Sequence, residues 1–340
     1  MDAIAKALGV TRVARVTGLD RAGVEVACAI RPGGHVLQVS NGKGATLDRA
    51  RRSALSEAAE LWAAERLDAS RCVFASLREL ASSGADAWDP MDLGSGGEPL
   101  EPRLWTPDMR IAWVPARELF SDAEVLVPAQ AVFCPPPGSA QLGPAVVRWS
   151  SNGMGAHPHL APALEHALLE AIERDQLARS LPEGWTPREL RRRKVSVREL
   201  GPGLEAHVFD LSADIALPVA GALLLDREDG PVPVAAGYAC ARSYDEAASG
   251  AVLEAAQSRL TDVHGAREDT VPMDRADAAA LRHACLRARA LSRPRRRTGG
   301  EPLRALWKAG YRRAAVVELA TTPLRVVKVI VPGLRVSELL

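Results

Sequence analysis

Three similar stretches of the chain carry acidic or amide side chains at matching positions. These side chains are Glu57 and Glu60 in ARRSALSEAAE, Glu170 and Glu173 in ALEHALLEAIE, and Glu254 and Gln257 in AASGAVLEAAQ. Carboxylates that are crowded away from water repel one another, so a site that they share needs cations. Carboxylate oxygens beside phosphate groups are ligands that suit magnesium. The pattern therefore predicts a phosphoryl-transfer site that is built without a Walker loop.

Alanine recurs around these glutamates in a single register. Counted from Glu57, Glu170 and Glu254, alanine stands seven residues before, three residues before and one residue after in all three stretches. Alanines four residues apart lie on one face of a helix, where they allow another backbone to pack closely. Solvated acids on the helices of an alanine-rich protein are the alternative, but the repetition in register favours a shared site.

Each of the three stretches follows a predicted strand and a glycine turn. The turns lie at 42–44, 153–155 and 237, and the helices are predicted near 48–67, 161–178 and 244–260. We therefore expect an α/β fold in α+β layers, with internally repeated strand–turn–helix units and three alanine-striped helices around a nucleotide site. Residues 1–40 are predicted to be an N-terminal strand region of the same domain, and residues 41–340 its main part.

The composition excludes several classes of protein. The chain has 340 residues, of which 47% are hydrophobic, and its 43 basic residues nearly balance 42 acidic ones. The net charge of +1 argues against nucleic acid as the main partner. Five scattered cysteines without a C-x-x-C pair are typical of reduced thiols, and no apolar run approaches the ~20 residues that span a membrane. We expect a cytoplasmic protein without a membrane partner.

Three motifs in fixed order resemble those of the YcaO family. The first comprises RVARVTGLDRAGVEVACAIRP and SNGKGATLDRARRSALSEAAE, the second is SNGMGAHPHLAPALEHALLEAIERD, and the third is LEAAQSRLTDVHGARED. The resemblance extends from Arg12 to Leu334. It implies internally repeated α/β units, usually in a dimer, that hold ATP and magnesium between helices.

The resemblance also implies a reaction on backbone amides of ribosomally made peptides. A nucleophile attacks the amide carbonyl, the resulting oxyanion attacks the γ-phosphate of ATP, and phosphate leaves with the former carbonyl oxygen. Cys, Ser or Thr side chains as nucleophiles give azolines, whereas a sulfide source gives a thioamide, commonly with a partner protein called TfuA. No catalytic residue beyond the nucleotide site is assigned.

The resemblance assigns roles to individual residues of the three motifs. Ser53, Glu57 and Glu60 match the first nucleotide and magnesium motif, Glu170, Glu173 and Arg174 match the second, and Glu254, Gln257 and Arg259 match the third. The five glutamates are thereby implied to bind magnesium, and the other four residues to contact the nucleotide or its phosphates. Lys43, between the glycines of NGKG, is a further candidate for phosphate contact, with a solvated turn lysine as the alternative.

Three positions depart from the family pattern. Leu61 stands where an arginine is usual, and Pro158 and Pro162 replace an asparagine and a glutamate of the second motif. Proline can neither coordinate magnesium nor donate a hydrogen bond. His157 and His159, in the same turn, are candidate substitutes, and two exposed loop histidines are the alternative.

From these features we predict ATP- and magnesium-dependent activation of a peptide backbone amide by O-phosphorylation, during maturation of a ribosomally made precursor peptide. The alternative is a degenerate, non-catalytic member of the family that acts as a scaffold or peptide-binding partner in a peptide-modifying complex. Azoline-forming members typically end in Pro-x-Pro-x-Pro, whereas this sequence ends in VPGLRVSELL. That difference favours a thioamide or another non-azoline product, and we expect a TfuA-like or leader-binding partner and a homodimer.

Overall fold

The fold of the chain is given by a computed structural model. The structure describes residues 2–94, 97–228, 230–267, 273–290 and 293–337. Helices and strands are numbered here in chain order. The helices are α1 (Asp2–Leu8), α2 (Leu47–Ala64), α3 (Leu77–Ser82), α4 (Ala129–Val132), α5 (Leu160–Ser180), α6 (Pro187–Arg193), α7 (Tyr244–His264), α8 (Arg275–Arg287) and α9 (Pro302–Lys308).

The strands form antiparallel sheets. They are β1 (Arg12–Arg15), β2 (Glu25–Ile30), β3 (Val39–Gly44), β4 (Val73–Ser76), β5 (Glu98–Pro99), β6 (Arg110–Glu118), β7 (Glu124–Pro128), β8 (Val147–Arg148), β9 (Met154–His157), β10 (Lys194–Gly201), β11 (Leu204–Asp210), β12 (Val219–Asp226), β13 (Val234–Cys240), β14 (Ala315–Ala320) and β15 (Arg325–Ile330). One sheet has the order β1-β2-β3 and a second the order β10-β11-β12-β13. A larger sheet has the order β4-β6-β14-β15-β9 with β7 beside β6, and β5 pairs with β8.

Strand–helix units are repeated along the chain as the sequence predicts. β3 leads into α2, β9 into α5 and β13 into α7, and each of these helices packs on the strand before it. The three helices were predicted at 48–67, 161–178 and 244–260, and their observed ends differ by no more than about one turn. The predicted α/β fold class is confirmed.

Alanines and glycines let each helix approach its strand closely. The facing sets are Gly42 with Ala50 and Ala54, Gly155 with Ala163 and Ala167, and Gly237 with Ala251 and Ala255. The six alanines have no exposed surface. A Cβ atom added at any of the three glycines would overlap the backbone of the facing helix. The alanine stripe predicted from the sequence is therefore the surface by which the three helices pack on their strands.

The two faces of the second sheet are covered by different helices. One face packs against α7, with Val208 and Leu224 among its buried side chains. The other face, which includes Phe209 and Leu223, packs against the end of α5 and against α6 and α8. Among the helices of the described ranges, none combines the length and the apolar character that crossing a membrane requires.

Candidate functional site

The five glutamates of the three motifs lie where the repeated units meet. We call this region the glutamate junction. It consists of Glu57 and Glu60 on α2, Glu170 and Glu173 on α5, and Glu254 on α7. Within the described residues, contacts of Glu254, Glu173, Glu60 and Glu57 connect different units there.

Glu254 joins the third unit to the first. Its Oε2 lies 2.6 Å from Nζ of Lys43 on β3, and both side chains are 28% exposed. Its Oε1 accepts a hydrogen bond of 3.5 Å from the backbone N–H of Tyr238 on β13. Burial lowers the pKa of Lys43, but the carboxylates of the junction, above all Glu254, outweigh burial and raise it. The Lys43 ammonium therefore stays charged at neutral pH.

Glu173 joins the second unit to the third. Its Oε2 accepts a hydrogen bond of 3.1 Å from the backbone N–H of Cys240 on β13. Burial raises the pKa of Glu173 to about 8, and the negative charges of Glu254 and Glu170 add to this rise, whereas nearby basic groups oppose it. In the absence of a bound cation the Glu173 carboxyl is therefore largely protonated at neutral pH.

Glu60 joins the first unit to the second. Burial raises its pKa well above 4.5, and the charges of Glu170 and Glu57 raise it further. A backbone hydrogen bond from Ala156 on β9 opposes this rise. The charge of Glu170 on α5 therefore acts on Glu60 of α2, across the boundary between the first and second units.

Arg174 supplies a basic group beside the junction. One of its terminal nitrogens lies 3.4 Å from Oε1 of Glu170, one turn earlier on α5. Its Nε is buried and has no hydrogen-bond partner in the part of the chain that the structure describes. A buried donor without a partner costs free energy, which an accepting phosphate oxygen would recover. Arg174 therefore fits the predicted contact with a phosphate.

Arg267 is a second basic group at the junction. Its Nη1 lies 3.4 Å from Oε1 of Glu57. Gly265, at φ 60°, ends α7 in the left-handed conformation that glycine adopts without strain, two residues before Arg267. With Lys43 beside Glu254, each of the three units thus has a glutamate next to a basic side chain.

Ser53 and Gln257 flank the junction. Ser53 precedes Glu57 by four residues and Gln257 follows Glu254 by three, so each shares a helix face with its glutamate. Both residues are partly exposed, and neither side chain makes a hydrogen bond or an ion pair within the described ranges. Their donors are therefore available to a nucleotide.

Arg259 lies away from the junction, although its motif position predicts a phosphate contact. Its side chain is only 2% exposed and forms ion pairs with Asp20 at 3.1 Å and Asp226 at 2.9 Å. It also donates a hydrogen bond to the carbonyl of Val232. These buried partners fasten α7 to the segment before β2 and to the turn between β12 and β13. We therefore leave Arg259 out of the proposed nucleotide site.

The positions that depart from the family pattern are accommodated locally. Pro158 is exposed in the turn between β9 and α5, and Pro162 is exposed in the first turn of α5. Proline is tolerated there because the first N–H groups of a helix have no partner within the helix. Leu61 is 4% exposed and belongs to the hydrophobic interior.

The two histidines of the second motif contact each other. Their rings lie 5.7 Å apart, and the N–H of His159 donates a 3.0 Å hydrogen bond to Nδ1 of His157. No hydrogen bond or ion pair of the described residues links either histidine to a glutamate. Nor do any three described His, Cys, Asp or Glu side chains stand close enough to hold a metal ion by themselves. Magnesium here would need further oxygen ligands, which phosphate groups supply.

Two basic residues near the junction were missed by sequence reasoning. Lys328 on β15 has no exposed surface and donates a hydrogen bond to the carbonyl of Ser150. Burial lowers its pKa to about 7, against the opposing charge of Glu170. A lysine inside the apolar run RVVKVI was the available signal. For Arg267 the available signal was its place in the third motif, LEAAQSRLTDVHGARED, just beyond α7.

This geometry defines a class of α/β protein. In this class, glutamates and basic side chains lie close together between three repeated strand–helix units. A family model described as YcaO cyclodehydratase, ATP- and Mg²⁺-binding, matches residues 41–335. The chain belongs to the YcaO family, and the resemblance noted in the sequence is confirmed. The cofactors expected from it, ATP and Mg²⁺, are those of the family.

Related proteins cover nearly all of the chain. A protein of Rhizobium leguminosarum bv. trifolii, described as lying in the tfuA 3′ region, is 29% identical over 97% of this chain and 84% of its own length. A heterocyclase in complex with substrate and cofactor has a TM-score of 0.72 at 18% identity over 98% of this chain. YcaO from Methanopyrus kandleri, bound with AMPPCP and Mg²⁺, has a TM-score of 0.67 at 23% identity, over 98% of this chain and 88% of that one. At these identities the two structures support the fold, and the chain spans 52% of the heterocyclase.

Proposed function

We propose that the chain is an enzyme that uses ATP and Mg²⁺ to activate a backbone amide of a ribosomally made precursor peptide. The observation that carries this proposal is the glutamate junction, where carboxylates from three units stand beside basic side chains. Membership of the YcaO family supports it. In the proposed site the five glutamates hold magnesium, and the nucleotide or its phosphates are contacted by Lys43, Ser53, Arg174 and Gln257.

The junction suits phosphoryl transfer because it places opposite charges close together in a partly buried region. ATP bound there supplies the phosphoryl group that turns the amide oxygen into a leaving group. Lys43 and Arg174 are positioned to balance negative charge on the phosphates, and fixed charges act more strongly in such a region than in water. The five glutamates would hold the magnesium ion beside the same phosphates.

The test is phosphate release by purified protein with ATP, Mg²⁺ and a short precursor peptide encoded beside the gene. We expect release that depends on both the peptide and magnesium. Mass spectrometry of the peptide identifies the product, since an azoline results from loss of water and a thioamide from exchange of oxygen for sulfur. Peptide-independent release, or none at all with an authentic precursor, would contradict the proposal.

Thioamide formation with a TfuA-like partner is the more specific proposal. Its support is the relative from the tfuA 3′ region, which aligns with 97% of this chain. The reaction would then require a sulfide source and the partner protein. An azoline product formed without either of them would exclude thioamide formation.

A non-catalytic scaffold is the alternative that Pro158 and Pro162 favour. Binding of a non-hydrolysable ATP analogue with Mg²⁺ distinguishes the two functions, because a degenerate member binds neither. Pro158→Asn combined with Pro162→Glu sharpens the comparison. In an active enzyme adapted to these prolines the double change does not improve binding, whereas in a degenerate member it restores binding.

A further inference from the structure

Exposed arginines without ion-pair partners in the described ranges lie on three segments that meet near Lys194 and Asp210. We call this surface the arginine face, and it consists of Arg188, Arg191 and Arg192 on α6, Arg287 and Arg289 at the end of α8, and Arg295. Within the described ranges none of these six side chains forms an ion pair with a carboxylate. Arg193, also on α6, behaves differently, because it is 12% exposed and pairs with Glu189 at 2.5 Å.

Buried contacts hold the three segments of the arginine face together. Lys194, which follows α6, donates hydrogen bonds of 3.0 and 2.8 Å to the carbonyls of Cys285 and Ala288 at the end of α8. Asp210 accepts a 2.6 Å hydrogen bond from the backbone N–H of Arg295. Its carbonyl accepts one of 3.4 Å from Arg193. The ends of α6 and α8 and the segment at 295 therefore converge on Lys194 and Asp210.

The six arginines of the arginine face contribute little to the stability of the fold. Arg188, Arg191 and Arg192 have the three- and four-residue spacing that puts them on one side of α6, opposite the buried Leu190. Like charges at this spacing repel and destabilise a helix. Arginines in the last turn of a helix do complement its dipole, but this accounts for only part of the set. The excess positive charge is local, since the net charge of the chain is +1.

The arginine face is structurally linked to the glutamate junction. Trp185, two residues before α6, donates a 3.0 Å hydrogen bond to the hydroxyl of Tyr238 on β13. The backbone N–H of the same tyrosine donates to Glu254 of the junction. A polypeptide held at the arginine face would thus be anchored near β13, which raises the effective concentration of its remaining residues at the junction.

We propose that the arginine face binds an acidic segment of the peptide substrate. The choice of a peptide as the ligand rests on the proposed function, and the choice of an acidic one rests on charge complementarity. Guanidinium groups bind carboxylates through paired hydrogen bonds. The binding segment is distinct from the amide that is modified, because the two are recognised at different places.

A binding experiment without ATP or Mg²⁺ tests this inference separately from the reaction. The probe is a fluorescein-labelled peptide of alternating Glu and Ser, measured by anisotropy beside its Gln-for-Glu counterpart. Two charge-reversal variants change different segments: Arg191→Glu with Arg192→Glu on α6, and Arg287→Glu with Arg289→Glu at and just beyond the end of α8. The control is Arg12→Glu with Arg103→Glu, because both arginines are exposed and lack ion pairs in the described ranges. Melting curves establish that each variant is folded.

We expect the Glu peptide to bind wild-type protein and the control equally, and both charge-reversal variants about tenfold more weakly. Binding should also weaken as salt is added.

Equal binding of the Gln peptide, or an equal loss in the control, would overturn the inference. Tighter binding of an RNA oligomer with the same charge, lost in the same variants, would also overturn it. That result would show that the arginine face binds nucleic acid. Wild-type binding of the Glu peptide by both charge-reversal variants, beside intact phosphate release, would refute this inference alone. Loss of binding in those variants, with phosphate release absent from the wild type, would refute only the proposed function.

Discussion

Single residues at the glutamate junction are arranged in pairs of opposite charge. Lys43 lies beside Glu254, and Arg174 and Arg267 lie beside glutamates of α5 and α2. The carboxylates proposed to hold magnesium are thus partly neutralised by basic side chains of the protein itself. When magnesium and nucleotide bind, we expect these ion pairs to break. The carboxylates would then bind the metal, and the basic groups would bind the phosphates.

Removing one negative charge from the junction should nearly abolish the reaction. Glu57→Gln or Glu170→Gln keeps the size of the side chain and loses only its charge, so we expect peptide-dependent phosphate release to fall roughly 10²–10³-fold. The measurement is steady-state phosphate release, with circular dichroism to verify the fold. Glu165→Gln is the matched control, because Glu165 is on the same helix but pairs with exposed Arg242 at 2.5 Å. Full activity in both junction variants would place the site elsewhere.

The pKa of Glu173 predicts how stability depends on pH. The carboxyl has a pKa of about 8 in the folded chain against a usual value of 4.5, so between these values the folded state keeps a proton that the unfolded state loses. The free energy of unfolding should therefore fall as pH rises from about 4.5 to about 8 in metal-free protein. Urea unfolding across this range measures the slope. Glu173→Gln should make this slope smaller. Part of the slope should remain, because the pKa of Glu60 is also raised. A slope unchanged in Glu173→Gln would show that the pKa is not raised.

Among the secondary-structure elements, the close contacts of β3 with α2 and of β13 with α7 set the positions of the glutamates. A methyl group at Gly42 would meet the backbone of Ala50 and Ala54. We expect Gly42→Ala to lower the free energy of unfolding by about 1–3 kcal/mol, and to weaken nucleotide binding because α2 is displaced. Gly18→Ala serves as the control, since a methyl group there would meet no atom within 4 Å. Equal stability of the two variants in urea unfolding would contradict the packing described here.

For the whole molecule, magnesium and nucleotide should stabilise the fold together rather than singly. Without phosphates the metal has to displace basic side chains from the glutamates, and without metal the triphosphate meets clustered carboxylates. Magnesium with AMPPCP at about 100 times Kd should add about 2.7 kcal/mol to the free energy of unfolding, and either component alone much less. Thermal unfolding with each ligand and with both measures this difference. A melting temperature that does not change when magnesium and AMPPCP are both present would favour the non-catalytic scaffold.

The oligomeric state and the domain boundary are also properties of the whole molecule. The homodimer expected from the resemblance stays a prediction, as does the division of the chain at residue 40. Sedimentation of the purified protein measures the first. Val26 of the N-terminal region packs in the same cluster as Ala251 of α7, so removal of residues 1–40 should expose core surface.

The sequence by itself determined the repeated elements and predicted which residues form the site. Alanine and glutamate at fixed spacing predicted the three helices, their packing faces and the convergence of Glu57, Glu170 and Glu254, because helical periodicity is a property of neighbouring residues. Glycines in the preceding strands fitted the same pattern. These signals are local, and a single sequence displays them directly.

Only the tertiary structure decided which charges meet. Lys43 and Glu254 are 211 residues apart in the chain, and Arg267 and Glu57 are 210 apart, so no spacing relates them. Arg259 has the motif position of a phosphate ligand but is bound by two buried carboxylates, and Lys328 reaches the surroundings of Glu170 from the last strand. Ion pairs form between whichever groups the chain path brings within a few ångströms, and that path is set by the packing of all the sheets and helices together.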